Sequence, residues 1–151
     1  MSLEELEAML VASKEAASAF TLSLEGADRT ADEVQQFINQ TQTITLAVVR
    51  KDGLPHAVPV IGACLDGEIF CTVSAGSVLA NCLQRRLEVA FTVADLVHSV
   101  IGAGTAEEVG RISDLGELRA DLDRASPFGQ FAPEGWNGFI YRLRPRRLFA
   151  F

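Results

Sequence analysis

The residues best suited to chemistry lie in the segment CTVSAGS, from Cys71 to Ser77. Two serines, a threonine and a glycine stand there directly before a stretch with helical spacing. The free amides and positive dipole end of a helix N-terminus favour a phosphate group. The segment is not a P-loop, and a Ser-Gly-Ser turn often does no more than cap a helix. We therefore treat it as a candidate phosphate site, with a plain helix cap as the alternative.

The other side chains capable of acid, base or metal chemistry form no recognisable set. His56 and His98 are far apart and are read as surface or packed histidines. Cys64, Cys71 and Cys82 show no CxxC spacing, so we expect no metal site. The first two are expected to be buried thiols lying diagonally on one face of a hairpin. No nucleophile–base pair or carboxylate pair stands out, and the catalytic residues stay unassigned.

Charge argues against some partners. The chain has 13 Lys and Arg against 20 Asp and Glu, a net charge of −7, which disfavours a nucleic-acid backbone as the main partner. Basic residues nevertheless cluster near the end, at Arg142, Arg144, Arg146 and Arg147. An arginine cluster on a strand usually protects a sheet edge, and the alternative is that it holds an anionic ligand.

Length and hydrophobic patterning favour one compact barrel domain. At 151 residues the chain is long enough for a sizeable core, and its apolar runs are short, so we expect no membrane span. The start lacks the basic region of a secretory signal, which predicts a cytoplasmic protein. We divide the chain into an N-terminal helical extension, residues 1–30, and a barrel domain, residues 31–151.

The hairpin around Asp52-Gly53 organises the predicted strands. Gly53 supplies the positive φ of a tight turn, and Asp52 can bond its own backbone. The strand before it, residues 44–49, is apolar on both faces, which is typical of a barrel or sandwich. Pro59 in the returning strand cannot donate to a ladder. We expect a gap there, where a ligand or another backbone can approach.

Turn and capping signals place the remaining elements. They predict an amphipathic helix over the first twenty residues, a break near Gly26, a helix capped by Thr30 and Glu33, and a second turn at Asp66-Gly67. A helix beginning at Ser77 is predicted to bury a stripe of Val78, Leu79, Cys82 and Leu83.

The second half of the chain continues the sheet. Its predicted strands are residues 89–93, 99–109 with a bend or bulge at Gly102 and Gly104, and one or two closing strands around Pro145. A helix is predicted over residues 113–125, followed by a loop over 126–135. These elements together predict a mainly β fold, an antiparallel six-stranded β-barrel with N-terminal helices and an inserted helix.

The order of these segments resembles the FMN-binding split-barrel family of pyridoxamine 5'-phosphate oxidase-like proteins. The matching pieces lie between about residue 32 and the end, and they are LAVVRKDGLPHAVPV, LDGEIFCTVSAGS with its helix, VAFTV, GTAEEV and YRLRP. Each piece is common alone, but five pieces in the same order and spacing make a specific resemblance. The first thirty residues lie outside it.

The resemblance implies a split-barrel homodimer with two flavin sites in the subunit interface. The flavin ring would lie along the strand after the first turn, and the phosphate at the end of the third strand and the start of the next helix. The residues that would bind the cofactor are Val58, Pro59, Val60, Ile61, Thr72, Val73, Ser74, Ser77, Val78 and Leu79, with Trp136 and Arg142 expected to reach across the interface.

The sequence departs from the family pattern at the phosphate end. The family usually follows the serine with Arg-Lys, both bound to phosphate, whereas Ser77 is followed by Val78 and Leu79. Each charge-assisted hydrogen bond contributes about 1.5–3 kcal/mol, so losing two weakens FMN by roughly two to four orders of magnitude. We expect weak FMN binding or binding through other basic groups, a deazaflavin or other ligand, or loss of the cofactor.

The leading interpretation is an FMN-dependent oxidoreductase with a small-molecule substrate, in which the cofactor carries the redox chemistry. The alternatives are a non-catalytic ligand-binding or interaction protein on the same barrel and a deazaflavin-dependent reductase. Pyridoxamine-phosphate oxidase activity itself is not expected, because the basic residues for a second phosphate are not evident. The loop with Phe128 and Phe131, followed by Trp136, is expected to cover the cofactor pocket or to pack into the core.

Overall fold

The computed structural model describes residues 1–22 and 29–151. The predicted break near Gly26 lies outside these described residues. The helices are α1 (Leu3–Glu15), α2 (Ala19–Leu22), α3 (Ala31–Thr41), α4 (Val78–Arg85) and α5 (Gly116–Ala125), and a 3-10 turn, Ile112–Asp114, precedes α5. The strands are β1 (Thr43–Val49), β2 (Pro55–Leu65), β3 (Glu68–Val73), β4 (Glu88–Ala94), β5 (Ser99–Arg111) and β6 (Phe139–Ala150).

The six strands close into an antiparallel barrel in the order β1-β2-β3-β6-β5-β4. The predicted mainly β fold, with N-terminal helices and the inserted helix α4, is confirmed. β6 is one strand rather than two. A register shift between Ala103 and Gly104 of β5 lets the pairing continue on both sides of Pro145, so the proline does not end the strand.

Both predicted hairpin turns form. Gly53 has φ 83°, and the Asp52 carboxylate accepts the Leu54 N–H at 3.1 Å. At the second turn Asp66 and Gly67 have φ 48° and 85°, the pair of positive angles that a tight two-residue hairpin requires. The short second turn sets the register of β2 against β3.

The main core fills the barrel and extends to α1, α3 and α4. Leu6 and Leu10 of α1 belong to it, and the Ser13 hydroxyl accepts the Leu148 N–H of β6 at 2.9 Å. α1 is thus packed against the barrel wall. Treating residues 1–30 as an extension separate from the barrel stays a prediction.

A second, smaller core lies on the outer side of β2, β3 and β6. It consists of Ala63, Phe70, Ile112, Leu122, Phe131, Ala132 and Ile140. β3 separates the two cores by its alternation, because Ile69, Cys71 and Val73 face the main core and Phe70 faces the second. α5 and the loop after it therefore pack on the outside of the barrel, next to β2.

The first helix is shorter than the sequence predicts. α1 ends at Glu15 rather than near residue 20. The Ser18 hydroxyl accepts the Thr21 N–H at 3.2 Å, and this local bond starts the separate turn of α2.

The inserted helix also differs in its buried face. Leu79, Cys82 and Leu83 are buried as predicted, but Val78 is 52% exposed. Val78 is the first residue after the N-cap Ser77, and it points away from the core. The prediction that Val78 belongs to the buried stripe is wrong.

Residues 1–22 and 29–151 contain neither a membrane-spanning helix nor a cluster of metal ligands. No helix there is long and apolar enough to span a membrane. No cluster of three or more His, Cys, Asp or Glu side chains there is arranged to hold a metal ion.

Candidate functional site

An open strand edge is the starting point of the site. β2 has 11 residues and β3 has 6, and their ladder covers only Gly62 to Leu65 of β2. The other half of β2, from Pro55 to Ile61, pairs with β1 on one side. Its second side has no strand partner within the described chain. Backbone groups on such an edge are available to a ligand.

Thr72 marks the point where the ladder stops. Its hydroxyl accepts the Ile61 N–H at 3.1 Å and lies 3.5 Å from the Ile61 carbonyl oxygen, so a side chain replaces the next rung. Backbone groups alternate in direction along a strand, so Ala57 and Pro59 present theirs on the same open side. Pro59 has no N–H. The edge therefore offers the carbonyl of Pro59 and both backbone groups of Ala57.

The N-terminus of α4 lies beside this edge. The Ser77 hydroxyl accepts the Ala80 N–H at 3.0 Å, and the Ser77 N–H donates to the Ser74 carbonyl oxygen at 3.3 Å. Gly76, between them, has φ 71°. The predicted helix cap is thus confirmed. Because Ser74 and Ser77 also line the cavity described next, capping does not exclude a role in binding.

A cavity of about 480 Å³ lies between the β2 edge, the start of α4 and the loop after α5. A volume of this size suits a small molecule or cofactor. The residues that line it are His56, Val58, Pro59, Val60, Ile61, Thr72, Ser74, Ser77, Val78, Leu79, Pro133 and Trp136.

The structure brings ten of the twelve predicted site residues to this cavity. Val73 is not among them, because it faces the main core and is fully buried there. Arg142 is also absent: its guanidinium lies 3.3 Å from the Glu68 carboxylate, without the alignment of a hydrogen bond, and 5.6 Å from the centre of the Phe70 ring. A role for Arg142 in a partner subunit's site stays a prediction.

Trp136 lines the cavity of its own chain, whereas we expected it to reach across an interface. Its indole packs where a side chain at Gly138 would stand, because a Cβ there would overlap the ring and lie 2.8 Å from the Val73 carbonyl oxygen. The absence of a side chain at Gly138 therefore leaves the space that the indole occupies.

A small polar network holds the loop that carries Trp136. The Asp123 carboxylate of α5 accepts the Phe131 N–H at 2.8 Å and the Arg119 Nε–H at 3.1 Å. Arg119 also donates to the Ala132 carbonyl oxygen at 3.2 Å. The loop was expected either to cover the cofactor pocket or to pack into the core. Phe131 packs into the second core and is 2% exposed, whereas Trp136 lies at the cavity.

The walls of the cavity carry little charge. His56 is the only lining residue with an ionisable side chain among those that the structure describes. Ser74 and Ser77 add hydroxyl groups at the helix end. The helix end offers hydroxyls and amides to a phosphate but no Lys or Arg among the described lining residues, in keeping with the missing basic pair after Ser77.

Sequence reasoning missed two lining residues. His56 was read as a surface or packed histidine, although it stands two residues before Val58 on the same strand and alternation places both on one face. Pro133 gave no signal, because its place depends on how the loop folds back over β2.

The buried thiols take no part in the cavity. Cys64 and Cys71 lie diagonally across the second hairpin and are buried, as predicted. Burial raises the pKa of each thiol to about 12, so both are neutral and unreactive near neutral pH.

Sequence comparison assigns the family. The family model described as pyridoxamine 5'-phosphate oxidase matches residues 30–148. The chain belongs to the pyridoxamine 5'-phosphate oxidase family. This match confirms the resemblance carried by the five segments, and it begins close to residue 32, where the resemblance begins. No curated protein sequence matches the chain significantly.

Several solved structures have the same fold as this chain. A conserved hypothetical protein from Mycobacterium tuberculosis is 25% identical, with 85% of this chain and 88% of that chain covered and a TM-score of 0.68. An FAD binding protein from Mycobacterium smegmatis is 19% identical over 82% and 96% of the chains, with a TM-score of 0.58. An F420 reductase is 21% identical over 76% and 94%, with a TM-score of 0.57.

Proposed function

We propose that this chain is a flavin-type oxidoreductase that holds its cofactor in the cavity between β2 and α4 and acts on a small molecule. The observation that carries the proposal is the open edge of β2 beside the helix N-terminus at Ser77, within one cavity of about 480 Å³. A bound flavin supplies reversible two-electron transfer, and the chain binds and orients it. The predicted compartment, the cytoplasm, is kept in this proposal.

The ring end of the cavity suits a flavin. A flavin ring carries carbonyl and N–H groups along one edge, and the β2 edge offers the Pro59 carbonyl and the backbone N–H and carbonyl of Ala57. Val58 and Val60 supply apolar surface, and Trp136 supplies an aromatic wall. Apolar walls with a few placed polar groups are typical of cofactor sites.

The phosphate end suits the cofactor less well. Ser74 and Ser77 offer hydroxyls and the start of α4 offers amides, but the one ionisable side chain among the described lining residues is His56. We therefore expect the ring to contribute most of the affinity and the phosphate little. Riboflavin should bind almost as tightly as FMN, unlike in a site with two phosphate-binding cations.

The identity of the flavin is part of the proposal. Among the structures of the same fold, one is named an FAD binding protein and another an F420 reductase. These names support a flavin-class cofactor without choosing between FMN, FAD and a deazaflavin. We propose FMN as the first ligand to test and a deazaflavin as the alternative.

We further propose that two copies pair through the outer face of the barrel. Ala57, Ala47, Ala90 and Ala103 lie side by side across β2, β1, β4 and β5 and form one row of small side chains. Ile101, in the next row, is 43% exposed. An exposed row of small apolar side chains on the barrel wall suits a second copy of the chain. The row reaches β2 beside Pro59, so a partner would stand near the cavity.

A charge in this row tests the pairing. Ala90→Glu should convert a dimer to a monomer in sedimentation velocity at micromolar concentration, since two copies would bury like charges against each other. Ala120→Glu, an exposed alanine on α5 away from this face, is the matched control. Sedimentation of the unmodified chain as a monomer would remove the pairing proposal.

Flavin titration tests the cofactor proposal. Binding to the protein should raise the fluorescence anisotropy of FMN or of a deazaflavin. The bound ligand should quench the emission of Trp136, which is the single tryptophan of the chain. Val78→Trp fills the cavity from an exposed helix position and should weaken binding at least tenfold. Leu87→Trp is the matched control, since Leu87 is 51% exposed and lies outside the cavity. Equal losses in both variants would contradict this location.

Anaerobic reoxidation separates catalysis from simple binding. A reduced flavin bound to an oxidoreductase should be reoxidised by an added electron acceptor with saturation in acceptor concentration. A flavin that binds but reacts no faster than free flavin would favour the alternative, a non-catalytic ligand-binding protein on the same barrel.

A further inference from the structure

A second cavity, of about 500 Å³, adjoins the one proposed for the cofactor. Ile61 of β2 and Pro133 of the loop line both cavities. The second cavity continues from there between the end of α3 and the loop that follows α5. A small molecule in it would therefore stand next to the occupant of the first cavity.

The walls of this second cavity are neutral. Among the described residues that line it, none has an ionisable side chain. Phe128 supplies aromatic surface, whereas Phe131 is 2% exposed and adds little, and Gln42 and Gln130 supply amide groups. Phe128 is 88% exposed, which is unusual for a large apolar side chain and leaves its ring available to a ligand.

The backbone at Gln42 is a second, independent observation. Gln42 has φ 59° at the end of α3, a left-handed conformation that glycine or asparagine adopts with less strain. Its N–H donates to the Ile38 carbonyl oxygen at 2.9 Å, and its own carbonyl accepts the Gly62 N–H at 2.7 Å. The backbone is thus held while the side chain lines the cavity. The left-handed conformation ends α3, and it leaves Gln42 among the residues that line the cavity.

We propose that this second cavity is the substrate subsite and that it takes an uncharged, ring-containing small molecule with a hydrogen-bonding carbonyl or amide. The proposal rests on the proposed function, because the subsite adjoins the cofactor cavity at Ile61 and Pro133. The described residues of one chain offer no cation at this cavity that would select a phosphorylated or carboxylated substrate.

The physical reason is the cost of desolvating a charge. The cavity is open to solvent beside Phe128, so an anion in it loses only part of its water, but it gains no cation from the described walls. An uncharged amide or carbonyl loses less and regains hydrogen bonds from Gln42 and Gln130, and the ring packs on Phe128. A neutral ligand should therefore be preferred by at least tenfold over an anionic one of the same shape.

Naphthalene-2-carboxamide and naphthalene-2-carboxylate are suitable probes, because they match in size and differ in charge. Their affinities for the full chain are measured by calorimetry and by saturation-transfer NMR, with and without FMN. We expect the amide to bind at least tenfold more tightly than the carboxylate, and to bind together with FMN rather than compete with it. Equal affinities, tighter binding of the carboxylate, or no amide binding up to roughly 1 mM would overturn the proposal.

Three variants test the location. Gln130→Lys places a cation on an exposed loop residue of the cavity and should shift the preference toward the carboxylate by at least tenfold. Gln36→Lys, an exposed residue of α3 outside the cavity, is the matched control and should leave the preference unchanged. Gln42→Gly should weaken amide binding while leaving the melting temperature unchanged or raised. Identical shifts in the two lysine variants, or a Gln42→Gly variant that binds as before, would contradict the subsite.

The outcomes separate this proposal from the cofactor proposal. If FMN and deazaflavin both fail to bind but the amide binds with the expected preference, the proposed function fails and the neutral pocket stands. If a flavin binds and the amide does not, the substrate subsite fails and the cofactor site stands.

Discussion

Replacing Val78 by arginine should strengthen FMN binding through its phosphate. Val78 is 52% exposed, lines the cavity, and follows Ser77 at the start of α4. A guanidinium on this residue adds to the field of the helix N-terminus and the hydroxyls of Ser74 and Ser77. Because the residue is exposed, solvent screening and side-chain ordering reduce the gain. We expect the free energy of FMN binding to become more favourable by about 1.4 kcal/mol, which corresponds to a tenfold lower Kd for FMN.

Riboflavin is the ligand control for this prediction, because it carries the same ring without the phosphate. Its Kd should stay within about twofold in Val78→Arg, and the FMN gain should shrink as salt is raised. Leu87→Arg is the control variant, since Leu87 has nearly the same exposure, 51%, and lies outside the cavity. An equal gain for riboflavin, or for FMN in Leu87→Arg, would refute the assignment of the phosphate end.

The neighbouring residue must be left unchanged in this test. Leu79 is 4% exposed and belongs to the main core, although it also touches the cavity. Lysine there would bury an amine without a partner and destabilise the fold by a few kcal/mol. The double change to Arg-Lys that the family pattern suggests is therefore not a clean test, and Val78→Arg alone is.

Three further predictions concern the surroundings of the cavity. Gly138→Ala should displace the Trp136 indole, shift its emission and destabilise the fold by about 1–3 kcal/mol, as seen in fluorescence-monitored urea unfolding. Asp123→Asn weakens the bond to the Phe131 N–H and should destabilise the fold by about 1–2 kcal/mol in the same assay. Burial raises the pKa of Cys71 from 9.0 to about 12. The stabilisation that comes from keeping this thiol neutral in the fold is therefore fully present below pH 9. It should be lost as pH rises towards 12, which melting temperatures measured across this range would show.

Much of the fold follows from signals that are local in sequence. The Asp66-Gly67 turn fixes the register of β2 and β3, and the serine cap fixes the start of α4. Val73 is separated from the site by its burial, because its side chain faces the main core and is fully buried there, whereas Thr72 lines the cavity. The resemblance placed both at the site, since it assigned a segment rather than a face.

The parts that sequence did not predict depend on contacts distant in the chain. Pro133 reaches the cavity because Asp123 and Arg119 hold its loop against α5. Arg142 lies against Glu68 and Phe70 across the β3–β6 pair. These contacts could be predicted only if the register of the two strands were known. Neither contact leaves a spacing or motif in the sequence.

The cavity itself follows from a mismatch in strand length. The ladder between β2 and β3 ends at Gly62 and Cys71, so β2 continues for seven residues, 55–61, without a β3 partner, while β3 stays paired with β6 to Val73 before the chain begins α4. Thr72 closes the ladder with its hydroxyl, and the two adjoining cavities meet at Ile61, the residue bonded to that hydroxyl. The hydrogen bonding between Thr72 and Ile61 thus lies at the boundary between the proposed cofactor cavity and the proposed substrate cavity. One short strand followed by an inserted helix therefore opens the strand edge and also brings a helix N-terminus beside it.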